Sequence, residues 1–132
     1  VKAISLWQPW ASAIALGHKR IETRHWTTNY RGPIAIHAAK RFQRDQRVFA
    51  ATERTLGRMP ARLPFGAIVA IAYLDEIVPT EQLAPSPIER MYGDYSPGRY
   101  GWVLESIRAL AEPIPFIGRQ GLFNIPDEVL EP

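Results

Sequence analysis

The chain has 132 residues, 46% of them hydrophobic and 22% charged, with a formal net charge of +3 and no cysteine. That length points to a single globular domain, large enough to bury a core without staples. The missing cysteines exclude disulfides, a thiolate nucleophile and a cysteine-based zinc site. They fit a reducing compartment, and a cytoplasmic location is the expectation. No apolar run reaches the ~18 residues that a membrane span needs. The N-terminus enters a strand-like run at Ala3 and has no signal-peptide layout.

Charge is unevenly spread. Residues 1–62 hold 12 Lys/Arg against 3 Asp/Glu, and residues 63–132 hold 4 against 10. Of the 16 basic residues, 13 are Arg, whose planar fork matches phosphate geometry and stacks on bases. A basic, Arg-rich half points to a polyanion such as nucleic acid. Mutual neutralisation of the two halves within the fold is the competing explanation.

Ala3–Trp7 reads as a first strand. Gln8-Pro9 opens a short helix, because proline is tolerated where the N–H would go unpaired anyway. Gly17 is a natural left-handed stop for it. Lys19–Trp26 reads as a second strand, with Arg20, Glu22 and Arg24 on one face. After a turn-rich stretch, Ile34–Lys40 is a third strand, with Ile34, Ile36 and Ala38 on one face and Ala35, His37 and Ala39 on the other. The small alanines predict close packing against that second face. Asp45–Leu56 reads as a helix with Asp45 as N-cap and Val48, Phe49, Thr52 and Leu56 as its buried side.

The apolar run Gly66–Val78 reads as a central strand. The proline-rich stretch Pro79–Gly98 is a long loop with at most single helical turns, of the kind that forms lids or binding loops. Tyr100–Leu110 is a further strand. Pro113 and Pro115 predict an extended link, Phe116–Gly118 a short edge strand, Gln120–Ile125 a closing strand, and 127–132 an acidic tail. The fold class expected is α+β: a small mixed β-barrel of about five to six strands, two main helices and one long loop.

Three motifs then stand in order: Trp7-Gln8-Pro9-Trp10-Ala11-Ser12, Gly17-His18-Lys19-Arg20-Ile21-Glu22-Thr23-Arg24, and Arg31-Gly32-Pro33-Ile34-Ala35-Ile36-His37-Ala38. With Gly66–Ala70, Tyr100–Leu104 and Gln120–Phe123 they resemble the ASCH (activating signal cointegrator homology) domain family, which is similar in fold to the PUA domain. The resemblance implies a single PUA-like domain over residues 1–132. It also implies a cleft between the first helix and the barrel, lined by the Gly-x-Lys-x-x-Glu-x-Arg segment. Relatives imply nucleic-acid binding, RNA cleavage or removal of the acetyl group from acetylcytidine. In that last branch a Lys corresponds to Lys19, and its Thr falls on Glu22 here.

Candidate site residues follow. Lys19 would clamp a phosphate or act as base or nucleophile. Glu22 would accept a hydrogen bond from a base's exocyclic amine, as carboxylates do from cytosine, and Arg24 would hold Glu22 or bind phosphate. If the protein is an enzyme, Lys19 and Glu22 carry the chemistry of a metal-independent ribonuclease or amidohydrolase. Trp7, Trp10, Trp26, Tyr30, Tyr100 and Trp102 are candidates for base stacking, and Trp26 and Tyr30, beside turn residues and Arg31, are the ones expected to be exposed. Lys40, Arg41, Arg44 and Arg47 form a phosphate track at the entry to the second helix. His25 and His37 could act as an acid/base pair, although a structural role suits each better. No cluster has metal-ligand spacing, and no cofactor is expected. RNA or a nucleotide is the expected partner, with a protein partner as the alternative.

Overall fold

The computed structural model describes residues 1–130. In chain order the elements are β1 (Lys2–Leu6), α1 (Trp10–Ala15), β2 (Ile21–Arg24), β3 (Gly32–Ala38), α2 (Arg44–Thr55), β4 (Ala67–Pro79), a 3-10 turn (Thr80–Gln82), α3 (Pro87–Met91), β5 (Tyr100–Pro115), β6 (Phe123–Asn124) and α4 (Asp127–Leu130). Alternation decides the layers, since successive side chains of a strand face opposite ways. Ile4 and Leu6 of β1 and Ile34, Ile36 and Ala38 of β3 enter the main core, with Ala70, Leu74, Trp102 and Leu104. Ala3 and Ala35 face a smaller cluster with Ile68, Phe123 and Ile125. The close packing expected from the small residues of β3 is therefore present.

The six strands run in the order β2-β5-β4-β3-β1-β6. β1 and β3 pair in parallel, and the other neighbours are antiparallel. The α+β class with six strands is as expected, but the sheet is not closed into a barrel. A barrel closes only when its edge strands pair. Here β6 contributes two residues, opposite Lys2 and Ala3, so β1 has a free outer edge from Ile4 onward. At the other end, among the described residues, β2 pairs only with β5. The gap is spanned by a side chain instead: Arg24 Nη2 donates to the Ser5 carbonyl at 2.9 Å. An open seam thus runs between β1 and β2.

Three local expectations need correction. The N-cap of α2 is Gln43 rather than Asp45, in a capping box whose other half is the Gln46 side chain. The same helix buries Gln46, Ala50 and Glu53, while Val48 and Leu56 are more than half exposed. Its polar residues go inward because each finds a partner. Glu53 accepts from both Arg58 Nε and Nη2 and from the Tyr92 hydroxyl. Burial, and then the Glu53 carboxylate, push the Tyr92 phenol up to about 12.

The third correction is that β5 continues through Pro115, and Phe116–Gly118 is not a strand. β2 covers the outer edge of β5 only from Tyr100 to Val103. Beyond that edge a proline's missing N–H leaves no ladder bond unmade. Of the acidic tail, 127–130 forms α4, and 131–132 lie outside the described residues.

The 79–98 segment is a packed wall, not a free flap. Glu89 accepts from the backbone N–H groups of Arg20 and Ile21. Asp94 N donates to Thr23 Oγ1, and Arg99 Nη2 donates to the Thr23 carbonyl. Tyr92 is 1% exposed.

Candidate functional site: the open seam of the sheet

The seam forms a cleft of about 1300 Å³. One wall is Ser5–Trp7 at the end of β1, the other Glu22–Trp26 of β2 and its extension, and the rim carries Lys40, Arg41, Arg99 and Arg119. With Arg24 this makes five cations against two carboxylates, Glu22 and Asp94. Three indoles line the same space: Trp7, Trp10 and Trp26. Trp7 is 46% exposed, and the Arg41 guanidinium lies 5.8 Å from its ring centre. Trp26 packs edge-on against buried Trp102, whose indole N–H donates to the Trp26 carbonyl. Trp10 stacks on Phe49.

The Gly-x-Lys-x-x-Glu-x-Arg segment builds this wall from inside outward. Gly17, at φ +84°, ends α1, and the N–H groups of His18 and Lys19 both return to the Ala13 carbonyl. That turn drives Lys19 into the interior, where it is fully buried. Its ammonium has three donors and three acceptors around it: Ile21 O at 2.6 Å, Tyr92 O at 2.9 Å and Glu22 Oε1 at 3.3 Å. Glu22 in turn accepts from Arg24 Nε at 2.6 Å. Lys19 therefore orients Glu22, Glu22 orients Arg24, and Arg24 ties β2 to Ser5 across the seam.

The predicted site residues separate accordingly. Glu22, Arg24, Trp26, Lys40 and Arg41 meet in the cleft. Lys19 lies behind the wall, bonded to two backbone carbonyls and paired with Glu22. Tyr30 and Arg31 sit away from the cleft in the turn before β3, where the Tyr30 hydroxyl donates to the Pro33 carbonyl and Arg31 to the carbonyls of Thr28 and Tyr30. Arg44 is exposed at the start of α2 and lines neither hollow. Arg47 lines a second, smaller groove of about 360 Å³ with Arg54, Arg62, Phe42 and Phe65. Trp7 and Trp10, two of the stacking candidates, also line the cleft, whereas Arg99 and Arg119 are cationic lining that the sequence reading missed. Arg119 had a signal, an isolated cation between glycines; Arg99, from the far end of the long segment, had none.

His37 is 1% exposed, and burial lowers its pKa below the usual 6.5, partly offset by the Phe116 carbonyl. An unfolded chain takes up a proton near pH 6.5 that the folded chain refuses. Stability is therefore expected to fall as pH drops from 6.5 toward the folded pKa, by up to about 1.4 kcal/mol per pH unit. Urea unfolding at pH 7.5 and 5.5 measures this, and His37→Asn should flatten that part of the slope.

The ASCH domain family model matches residues 4–113. The chain belongs to the ASCH domain family. Among solved structures, this ASCH chain is similar to the ASCH protein of Zymomonas mobilis, at 18% identity and TM-score 0.60, covering 98% of this chain and 90% of that one. A tyrosine-to-phenylalanine variant of the Zymomonas protein matches at 18% identity and TM-score 0.60, covering 98% and 93%. A serine-to-alanine variant matches at 20% and 0.59, covering 98% and 91%. At these identities the likeness establishes the fold. No curated protein matches the chain significantly. Among the described residues of this ASCH domain, no helix is long and apolar enough to cross a membrane.

Proposed function

We propose that the seam cleft binds single-stranded RNA or a nucleotide, with indoles taking bases and the cationic rim taking phosphates. One observation carries the reading: Trp7, Trp10 and Trp26 share a single open cleft with Arg24, Lys40, Arg41, Arg99 and Arg119. Aromatic platforms flanked by cations are the physical requirement for holding an unpaired strand. The ASCH family's broad link to RNA agrees with it. Glu22 is held by Lys19 and Arg24, leaving it as an oriented acceptor for a base's exocyclic amine.

The test is fluorescence anisotropy of a labelled single-stranded RNA across a salt series, with DNA of the same sequence as a second arm. Affinity should fall linearly on a log–log plot as salt rises, because phosphate contacts release counterions. Absent binding, or binding indifferent to salt, sinks the reading.

A further inference from the structure

We propose that Ser5 and His37 form a nucleophile–base pair opening onto the cleft, acting on a carboxylic ester carried by a phosphate-bearing molecule. The two residues are register partners on the parallel strands β1 and β3. Ser5 Oγ lies 2.9 Å from His37 Nδ1, and His37 Nε2 lies 2.7 Å from the Phe116 carbonyl. A carbonyl can only accept, so Nε2 carries the proton and Nδ1 presents its lone pair. Ser5 Oγ–H therefore donates to Nδ1, the arrangement in which a neutral imidazole takes a proton from a hydroxyl. Burial of the ring keeps it neutral. Both side chains line the cleft, and Ser5 is half-buried rather than sealed.

A cross-strand hydrogen bond alone would account for the pair, but the segment beside it adds a second feature. Residues 116–120 run past the pair without regular structure. The N–H groups of Ile117, Gly118, Arg119 and Gln120 have no hydrogen-bond partner among the described residues. Gly118 lies close against the pair. A Cβ there would sit 2.6 Å from His37 Cε1 and 3.1 Å from Ser5 Oγ, so only bare backbone fits. The bare Gly118 backbone against Ser5 and His37 is the donor we assign to the oxyanion of an acyl-transfer intermediate. Arg24 and Arg119 in the same cleft favour an anionic substrate.

The chemistry balances without a further reactant. Ser5 Oγ attacks the acyl carbon and its proton passes to Nδ1. The ester C–O bond then breaks, and the departing alcohol leaves with that proton. Water attacks the acyl-serine, giving its proton to Nδ1, which returns it to Ser5 Oγ as the acid departs. The Phe116 carbonyl holds the imidazole in the required tautomer throughout.

The nucleophile stands on its own geometry; only the phosphate-bearing half of the substrate rests on the nucleotide reading. The test treats the folded protein with a fluorophosphonate probe and locates the adduct by mass spectrometry, alongside hydrolysis of p-nitrophenyl acetate. A single adduct on Ser5 is expected. Hydrolysis should drop at least ~100-fold in Ser5→Ala and His37→Asn, with folding of each confirmed by its melting curve. No adduct on the folded wild-type chain, an adduct elsewhere, or hydrolysis unchanged in Ser5→Ala overturns the pair, whatever RNA does. A Ser5 adduct that neither AMP nor RNA slows upholds the nucleophile and overturns the phosphate-bearing substrate.

Discussion

Lys19→Ala is expected to destabilise the fold by about 3–5 kcal/mol, the usual cost of breaking a buried ion pair by removing one partner. Lys19 is fully buried, and its loss would leave the carbonyls of Ile21 and Tyr92 without their donor and Glu22 without its inner cation. A domain of this size is stable by roughly 5–15 kcal/mol in all, so the variant should sit near the edge of folding. Lys19→Met restores most of the volume but none of the donors, and should recover only the cavity part of the loss. Urea unfolding of the three proteins measures this. A Lys19→Ala midpoint indistinguishable from wild type would show that the ammonium is not the anchor of the segment.

The second large effect concerns the rim. Lys40 and Arg41 are exposed and line the cleft, so replacing both with alanine should leave stability almost unchanged. RNA affinity should fall roughly 10-fold or more. If each of the five cleft cations neutralises one phosphate, the salt slope for a single strand is about −3.5, and the double variant should lower its magnitude by about 1.4. The control is Arg44→Ala plus Arg47→Ala, whose side chains lie outside the cleft. A greater loss in the control than in the rim variant would move the phosphate track to the smaller groove by α2.

Much of the fold could be read from the chain because its signals are local. Alternation in β1 and β3, the Gly17 stop and the apolar run of β4 each dictate structure over a few residues. The open seam could not be read the same way. Whether the sheet closes depends on β2 pairing with the β1–β6 edge, a long-range contact, and Phe123-Asn124 gives no local sign that β6 stops at two residues. Helix α2 misled for a different reason. Val48 and Leu56 look like core, but Glu53 is the residue with partners waiting, in Arg58 and Tyr92, which come from later in the chain. Of the site, the Glu22–Arg24 pair and the basic stretch at Lys40 and Arg41 were visible. The role of Lys19 was not, because its depth is set by Tyr92 from a segment 73 positions away.

Lys19, fully buried, bonded to two backbone carbonyls and paired with Glu22, acts on a ligand only through Glu22 and Arg24. Its substitution is thus expected to disturb stability and cleft shape together, whereas Arg41→Ala disturbs the cleft alone.

The most direct test of the seam as the binding site is an NMR titration of the ¹⁵N-labelled protein with a short single-stranded RNA, following backbone amides and the indole N–H groups. Shifts are expected at Trp7 and Trp26, at Lys40 and Arg41, and along Gly118–Gly121, with Arg47, Arg54 and Arg62 quiet. Shifts confined to the Arg47–Arg54–Arg62 groove, with the seam unmoved, would contradict it.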